Sequence, residues 1–535
     1  MWQQNYLPVA DSLPLSALLA ALPIFVLLLL IGVLRKPAWV AALAGLITAT
    51  LVALLVYKMP AALVSSSASM GAAFGLFPIG WIVFWAVVLY RVTVETGNFE
   101  IIKDSIGGLT SDRRLQALLI AFALGAFIEG AAGFGTPVAV AAAMLAGLGF
   151  SPFYAAAICL LANTAPVAFG SIGVPVITLA SVTGLPVGEL SAWVGRICAP
   201  VSVFVPAYLV LVMGGWKGLK GVLPAALVAG IGFASVQYLV SNHVGPELVD
   251  ISAALTAIIG MVILLKVWKP ADKFVLAGET QAVLQIKHHG LGRTVLAWSP
   301  YLYLVALVLI WGSGVIKGPL NSVTVPIEWP GLHNVVHRMA PVVPTTAPYA
   351  AVFNLNWLAA GGSACAIATM LAALTFRMSI GKYLGILGSV LKQLAFSLLT
   401  IASVLALSYL MNYSGATATL GLAFAITGSL FPFFSAMLGW LAVFLTGSDT
   451  SANALFGNLQ VVTANSLNLD PVLMASANSA GGVMGKMISL QSLAVAVAAT
   501  GMSRAEEGKL FRFTFKHSVF LASVLGIVTM IYAYW

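Results

Sequence analysis

Charged residues are scarce in this chain, and their scarcity excludes a soluble protein. Only 8% of its 535 residues are charged, whereas 61% are hydrophobic and the mean hydropathy is +1.03. A soluble domain carries about 25% charged residues, which it needs to cover its surface in water. Apolar runs of about 18 residues or more recur along the chain, and each can cross the hydrocarbon of a bilayer. The composition predicts an all-α polytopic membrane protein with one membrane-embedded unit over residues 1–535.

Several chemical motifs are also missing. The three cysteines all lie in apolar stretches, so the sequence predicts no disulfide framework. Nothing indicates an ATP-driven pump, because there is no phosphate-binding loop or nucleotide fingerprint. His333 and His337 lack the intervening glutamate of a zinc protease. We therefore predict no enzyme, no cofactor and no metal site. The net charge of +9 reflects basic loops beside membrane lipid rather than binding of nucleic acid.

The apolar runs predict 12 to 14 transmembrane helices. The candidate spans are residues 13–34, 37–57, 70–91, 114–130, 152–172, 189–213, 218–240, 249–268, 294–316, 355–376, 383–411, 431–446, 471–500 and 513–535. Further stretches near 131–150, 174–186, 414–428 and 448–467 are predicted to be re-entrant or short spans. Most basic residues collect on one side, which includes the polar loop at about 269–293, so that side is predicted to be cytoplasmic with both termini outside.

Two stretches about 315 residues apart carry nearly the same pattern inside apolar sequence. They read Ala162-Asn163-Thr164-Ala165 followed by Gly170, and Ala477-Asn478-Ser479-Ala480 followed by Gly485. A Phe-x-x-Gly precedes each copy, at Phe127 and at Phe444. A duplicated unit with helix-breaking residues at membrane depth is typical of a secondary transporter, whose site lies where the broken helices meet. We predict two related repeats with cores at about 114–186 and 431–500, each with a re-entrant or broken-helix hairpin. Charge counting leaves open whether they are parallel or inverted.

Ionisable residues within the apolar runs are few, and each is a functional candidate because burying it costs several kcal/mol. Glu129 lies just before a glycine-rich break, and Asp449 lies just after Gly447. Burial at low dielectric favours the neutral form of a carboxyl group, which suits these two residues to carry a proton. Structural ion pairs are the alternative, with Glu129 paired to Arg196 or Asp449 paired to Lys486.

The two asparagine turns are predicted to bind a small carboxylate. Freed backbone amides at the N-terminus of a half-helix, with polar side chains beside them, suit an anion. The candidates in the turns are Asn163, Thr164, Asn478 and Ser479. Lys486 follows the second copy directly and is the simplest charge partner, while Arg196 is a second candidate because of its planar guanidinium. Close packing of helices is the alternative explanation for the glycines.

Longer segments carry a family resemblance. They are Gly125–Gly135, Asn163–Gly170, Phe444–Ser451 and Gly485–Ser489, together with Trp2–Tyr6, Gly245–Leu248, Leu510–Thr514 and Lys516–Ser518. From end to end, the chain resembles the L-lactate permease family. One departure is Leu490, where the family pattern has proline, so a helix break at that point is left open.

The resemblance implies a bacterial inner-membrane importer of L-lactate, glycolate or another small 2-hydroxy monocarboxylate, with H⁺ as the coupling ion. It also implies inverted repeats with re-entrant hairpins. Lactate would lie between the two asparagine turns, with Lys486 or Arg196 neutralising it and a proton on Glu129 or Asp449. A sodium-coupled carrier of another anion, a channel and a membrane-embedded enzyme are the alternatives. The sequence carries no signal for the oligomeric state.

Overall fold

The computed structural model describes residues 1–133, 135–272, 274, 287, 289–312 and 314–535, and the described chain is predominantly helical. The helices of the first half are α1 Leu13–Leu28, α2 Ala38–Leu55, α3 Ala61–Phe74, α4 Trp81–Glu95, α5 Asn98–Gly107, α6 Arg113–Gln116, α7 Gly125–Ala131, α8 Thr136–Gly147, α9 Pro152–Ala162, α10 Gly170–Thr183, α11 Val187–His243 and α12 Val249–Val267. Those of the second half are α13 Leu291–Gly312, α14 Gly314–Asn321, α15 Gly361–Thr375, α16 Ile380–Ser414, α17 Ala416–Phe424, α18 Phe431–Thr446, α19 Asp449–Ser466, α20 Pro471–Lys486, α21 Leu490–Thr500 and α22 Arg504–Tyr534. Turns of π-helix at Leu29–Val33, Gly75–Gly80 and Ala117–Leu124, and of 3₁₀-helix at Val167–Phe169 and Ala425–Leu430, adjoin these helices.

Eleven of the described helical segments are long and apolar enough to cross a membrane, or twelve if the bent pair α9 and α10 counts as one span. Helix α11 has 57 residues, more than twice what one crossing needs. It bends at Gly215 (φ 58°, ψ −165°), and its two arms pack together. Gly195 lies against Ser241, and Gly230 lies against the backbone of Val203. Because α11 supplies two crossings, the number of membrane crossings falls within the predicted range of 12 to 14. The polytopic helical fold is confirmed.

The first broken-helix region, residues 113–183, starts with a re-entrant hairpin. Helices α6 and α7 lead into the molecule, the chain turns at Gly133, and α8 returns. Arg113 at the start donates to the carbonyl of Leu148 just after α8, and its guanidinium lies 5.3 Å from the Phe150 ring. Both ends of this hairpin therefore lie at the same end of the molecule. Helices α9 and α10 follow as a pair bent by 63°.

The second broken-helix region, residues 431–500, has the same order of elements. Helices α18 and α19 form a hairpin in which Gln460 Nε2 donates to the Ser435 carbonyl over 3.3 Å. Helices α20 and α21 follow in line, with residues 487–489 between them.

The interruption between α20 and α21 is present although Leu490 replaces the proline of the family pattern. Helix α20 ends at Lys486 and α21 starts at Leu490. The Ser489 hydroxyl caps the new helix by accepting a hydrogen bond from the Ser492 amide over 3.2 Å. The helix break that the sequence analysis left open at Leu490 is therefore present, and a serine N-cap starts α21.

Helix α16 spans the molecule and shows that the two hairpins open toward opposite ends. Near its start, Lys382 Nζ donates to the Glu95 carbonyl over 2.9 Å, and only the short α5 separates Glu95 from Arg113. At its other end α17 follows directly, and Thr463 of α19 donates to the Gly421 carbonyl of α17 over 2.9 Å. Inverted repeats would produce this arrangement. The internal duplication itself stays a prediction.

Short strands that the sequence analysis did not predict cover one end of the molecule. They are β1 Trp2–Gln3, β2 Val325–Glu328, β3 Val336–Arg338, β4 Ala347–Pro348 and β5 Val352–Leu355. Strand β2 pairs antiparallel with β5, while β3 pairs parallel with β1 and antiparallel with β4. Gln4 Nε2 donates to the carbonyls of Asn412 (2.8 Å) and Tyr413 (2.9 Å). The N-terminus and the strands therefore lie where α16 ends.

The predicted loop at about 269–293 lies largely outside the described residues. Its described part holds the base of the first hairpin, where the fully buried Arg114 binds Asp272 (Nη1–Oδ2 2.8 Å) and Asp112 (Nη2–Oδ2 2.7 Å). The guanidinium also lies 5.0 Å from the Phe274 ring. These hydrogen bonds from Arg114 hold the pKa of Asp272 below its usual range.

Candidate functional site

The two broken-helix regions meet at a cavity of about 130 Å³, which is well above the roughly 10–15 Å³ that a cavity needs to hold one water molecule. The first region lines it with Glu129, Val167, Gly170, Ser171, Val174 and Pro175. The second region lines it with Thr446, Gly447, Ser448, Asp449, Thr450, Ser451, Lys486 and Gln491. Ala38 of α2 and three residues of α16 complete the wall. Of the predicted site residues, Glu129, Asp449 and Lys486 line this cavity, while Asn163, Thr164, Asn478, Ser479 and Arg196 are not in its lining.

The backbone at the start of α10 is strained on the cavity wall. Ser171, Ile172 and Gly173 have φ of 49°, 59° and 74°, which is the left-handed region. A β-branched residue such as Ile172 is rarely found there. The conformation is held in place because Ser171 Oγ donates to the Ala132 carbonyl over 3.1 Å and Gly173 packs against Pro246. Such strain persists where the surrounding structure imposes it, and it is common at functional sites.

Glu129 lies near the end of α7 and reaches the cavity with its carboxyl group. The residue is 4% exposed. Its Oε1 lies against Gly170, where a Cβ would come within 2.7 Å of it. Its Oε2 is buried and accepts no hydrogen bond from any residue that the structure describes. Glycine at position 170 thus leaves room for a carboxyl group with one oxygen still available.

Asn163 and Thr164 end α9 at the first break, and they differ in what they bind. The Thr164 hydroxyl donates to the Leu161 carbonyl over 2.7 Å, one turn earlier in its own helix. The Asn163 amide lies beside Glu129. Within the described ranges, neither its nitrogen nor its oxygen has a hydrogen-bond partner, although both are buried.

Asp449 is the first residue of α19, and its carboxylate is partly satisfied. Ser479 Oγ donates to Asp449 Oδ2 over 2.7 Å, and Asn453 Nδ2 lies 3.4 Å from the same oxygen. Gly482 packs against Oδ1, which a Cβ at that position would overlap. Asp449, which lines the cavity, is therefore held from behind by the Ser479 hydroxyl.

Asn478 lies behind this wall in a connected polar network. Its Oδ1 accepts from Gln460 Nε2 over 3.0 Å, and its Nδ2 donates to Asn453 Oδ1 over 3.0 Å. Asn453 Nδ2 in turn reaches Ser479 Oγ (3.0 Å) and the Pro175 carbonyl of α10 (3.1 Å). Asn453 thus joins the second broken-helix region to the first, and Asn478 and Ser479 support it without bringing their side chains into the cavity lining.

Lys486 is the basic residue of the cavity. It is 7% exposed, and its ammonium donates to the Gly447 carbonyl over 2.6 Å. It interacts electrostatically with both Glu129 and Asp449. In the described chain, however, it makes no salt bridge within 4.0 Å, so the ion pair considered for Asp449 and Lys486 is not formed.

Arg196 is not brought to this cavity. Its Nε donates to Asn242 Oδ1 over 2.8 Å, and its guanidinium lies 5.0 Å from the Trp193 ring. It lines a different groove, which Tyr532 of α22 also borders. The expected pairing of Arg196 with Glu129, or with a bound anion at this site, is therefore corrected. The reason is that the first arm of α11 points this side chain at the second arm rather than at the broken helices.

The sequence analysis missed several polar residues near the cavity. Asp250, in the first turn of α12, is 1% exposed, and the network partners Asn453 and Gln460 were also overlooked. A signal existed for Asp250, because it is an acidic residue inside a predicted span. Asn453 follows Asp449 by one helical turn, which places both on the same face of α19.

The fold and the site define a class of protein. A polytopic helical protein with a polar cavity at membrane depth, where two broken helices meet, is a membrane transporter.

Comparisons with known proteins give the family. Residues 16–535 match the family described as L-lactate permease. The chain is 46% identical to an L-lactate permease of Bacillus subtilis over 99% of this chain and 98% of that protein. It is 46% identical to the glycolate permease GlcA and 44% identical to an L-lactate permease, both of Escherichia coli, over 100% of this chain and 98% of each. The chain belongs to the L-lactate permease family. It is a multi-pass membrane permease and not an enzyme, and its bacterial relatives fit the inner membrane.

Solved structures of distant transporters are similar in part. The YdaH transporter of Alcanivorax borkumensis matches at 13% identity with a TM-score of 0.45, over 88% of this chain and 87% of that one. MtrF of Neisseria gonorrhoeae matches at 12% identity with a TM-score of 0.47, over 90% and 86%.

Proposed function

We propose that this permease imports L-lactate, and also glycolate or another small 2-hydroxy monocarboxylate, together with a proton. The names of its relatives support the substrate class. One structural observation carries the proposal. The same small cavity holds the Lys486 ammonium and the Glu129 carboxyl group, and the two form no ion pair within the described chain.

The carboxylate of the substrate binds beside Lys486. Among the described residues that line the cavity, Lys486 is the only lysine or arginine, so it supplies the opposite charge. The N-terminus of α19 faces the same space through Asp449, Thr450 and Ser451. Backbone amides at a helix N-terminus favour an anion, and the hydroxyl groups of Thr450 and Ser451 add further donors. This assigns the second broken-helix region to the substrate anion.

Glu129 carries the coupled proton, with Asp449 as the second candidate. A lactate anion and one proton together move no net charge, so the transported pair crosses without opposing the membrane potential. Protonation of Glu129 removes a negative charge from the cavity and therefore strengthens anion binding. Linkage makes this reciprocal, so that bound lactate raises the affinity for the proton. The two hairpins open toward opposite ends, which suits a core that exposes the cavity to one side and then the other.

Uptake of labelled L-lactate into proteoliposomes tests the proposal. With an inward proton gradient of one pH unit, one coupled proton supports accumulation of about tenfold. We expect accumulation that a protonophore collapses and that excess unlabelled glycolate competes. Folded protein that accumulates neither acid under this gradient would contradict the proposal.

A sodium-coupled carrier is the second candidate, because one observation favours it. In the described chain, Glu129 Oε2, Asn163 Oδ1 and Asp449 Oδ1 are buried oxygens without hydrogen-bond partners. Hard cations prefer oxygen ligands of this kind. Replacing sodium by choline while holding the pH gradient separates the two mechanisms, because only sodium coupling is lost.

A further inference from the structure

Asp250 is an ionisable residue that the proposed mechanism does not use. It lies in the first turn of α12 and is 1% exposed. No hydrogen-bond partner reaches either carboxyl oxygen from the described parts of the chain. Ionisable residues at membrane depth are rare because of their cost, and they commonly form part of ion or proton pathways.

The chain places Asp250 next to the turn of α7 that carries Glu129. A Cβ on Gly130, the residue that follows Glu129, would come within 2.7 Å of the Asp250 Cβ. The two carboxyl groups are near enough to interact electrostatically. Two further side-chain amides, of Asn163 and Gln237, lie at the break after α9. The Asn163 amide lies beside Glu129, and Gln237 donates from Nε2 to the Ala165 carbonyl over 3.1 Å.

These supporting amides retain hydrogen-bonding capacity. Among the residues that the structure describes, Asn163 Nδ2, Asn163 Oδ1 and Gln237 Oε1 have no hydrogen-bond partner. Asn163 is 3% exposed and Gln237 is fully buried. Buried polar groups are nearly always paired, so this concentration of unpaired ones indicates a place for water or for a transferred proton.

The titratable groups around Asp250 are few. Glu129 faces it from α7, and Cys198 interacts with it from the first arm of α11. Glu247 lies in the turn just before α12, while α10 and the π-helical turn Ala117–Leu124 contribute no titratable residue. Two carboxyl groups that share a site do not both ionise readily.

We infer that Asp250 is a second proton-binding carboxyl group, which exchanges the coupled proton with Glu129. The inference rests on the proposed proton coupling. The proton leaves the Asp250 carboxylic acid for the Glu129 carboxylate, directly or through one water, so that Asp250 becomes the carboxylate and Glu129 the acid. Glu129 lines the cavity and Asp250 does not. Asp250 instead follows a partly exposed turn at residues 244–248, close in sequence to the exposed His243.

The test compares coupled accumulation with exchange. D250N keeps the size of the side chain and removes the exchangeable proton. We expect the accumulation ratio under a one-unit pH gradient to fall about tenfold, to near one. Exchange of internal for external lactate, which needs no net proton movement, falls much less. D470N is the matched control, because Asp470 is exposed at the N-cap of α20, where asparagine caps equally well. We expect D470N to behave as the wild type in both assays.

Each outcome decides the inference. D250N that accumulates lactate as the wild type does overturns it, and so does folded D250N that loses exchange and accumulation equally. If D250N does not fold, D250E decides, because it retains a carboxyl group with altered geometry. A shifted pH profile of accumulation in D250E supports the relay, and an unchanged profile overturns it. Wild-type protein that shows no proton-driven uptake would instead defeat the proposed function itself.

Discussion

The two broken-helix regions carry the same asparagine pattern in opposite surroundings. Asn478 makes hydrogen bonds with Gln460 and Asn453. Asn163, at the matching place in the first pattern, makes none with any described residue. Leaving a buried amide unpaired costs about 1–3 kcal/mol, so the first region maintains at Asn163 an unfavourable arrangement that the second region avoids at Asn478.

The two asparagines therefore differ in the hydrogen-bonding capacity that they leave to their surroundings. In the second region, the hydrogen bonds between Asn478 and Asn453 hold the broken helix, and the network reaches across to α10 through Asn453 and the Pro175 carbonyl. The unpaired groups of the first region leave hydrogen-bonding capacity next to Glu129. A repeated pattern in the sequence therefore does not imply a repeated role. The Asn478 amide joins neighbouring helices through hydrogen bonds, whereas the Asn163 amide has no hydrogen-bond partner among the described residues.

The largest expected effect comes from Lys486. Lys486 lies eight residues after Asn478, and Ser171 lies eight residues after Asn163. The two side chains make comparable hydrogen bonds. Lys486 Nζ donates to the Gly447 carbonyl, and Ser171 Oγ donates to the Ala132 carbonyl. If only the second region binds the anion, Lys486→Met lowers L-lactate uptake roughly 30-fold or more, since losing one partner of a buried charge pair costs about 2–5 kcal/mol. Initial uptake rates in proteoliposomes measure this.

Two variants control that measurement. Lys486→Arg keeps the charge and is expected to retain part of the uptake. Ser171→Ala removes the matching hydrogen bond of the first region without removing a charge, and its effect is expected to stay below about tenfold. Equal losses in Lys486→Met and Ser171→Ala would show that the regions do not differ in anion binding.

Variants of Glu129 and Asp449 should distinguish a loss of proton coupling from a loss of stability. Glu129→Gln is expected to reduce the accumulation ratio from about tenfold to near one under a one-unit pH gradient. The cause is that glutamine at position 129 cannot take up and release a proton. Asp449→Asn replaces the charged acceptor of the Ser479 hydroxyl by a neutral amide, which weakens this hydrogen bond, so its main effect is expected on thermal stability. Accumulation by Glu129→Gln against a lactate gradient would rule out Glu129 as the proton carrier.

The asparagine pair tests the comparison itself. Asn478→Ala removes the hydrogen bonds with Gln460 and Asn453, leaves the buried Asn453 Oδ1 without its donor, and is expected to destabilise the protein by about 1–3 kcal/mol. Asn163→Ala breaks no hydrogen bond within the described chain, so its stability is expected to stay near that of the wild type while uptake falls. Thermal unfolding in detergent, followed by size-exclusion chromatography, ranks the two variants. A larger loss of stability in Asn163→Ala would reverse the assignment of roles.

The sequence predicted the framework of the site well. Composition indicated a polytopic helical protein, and the duplicated pattern located both breaks. Glu129, Asp449 and Lys486 stood out because charge is rare in apolar segments, and all three line one cavity. These residues were identifiable because their cost at membrane depth does not depend on the details of packing.

Other features depend on tertiary contacts that no local pattern encodes. Arg196 was a reasonable anion partner by charge, but the direction in which α11 presents it was not readable. Whether an asparagine is saturated depends on residues such as Gln460, which lies 18 positions before Asn478 in another helix. The strands at the end of α16 have only two to four residues each, too few for a periodic signal.

The smallest expected effect concerns the base of the first hairpin. An ion pair between Arg114 and Asp272 ties the described part of the loop to this hairpin. Because the Arg114 hydrogen bond holds the pKa of Asp272 below its unfolded value, the stabilisation is present at neutral pH and is lost as the pH falls through the folded pKa, below about 4. Asp272 is half exposed, so solvent screening keeps the effect under about 1 kcal/mol. Melting temperatures of the wild type and Asp272→Asn should therefore differ slightly at pH 7 and converge in acid. A gap that persists in acid would mean that packing of the loop, rather than the ionised carboxylate, stabilises the first hairpin.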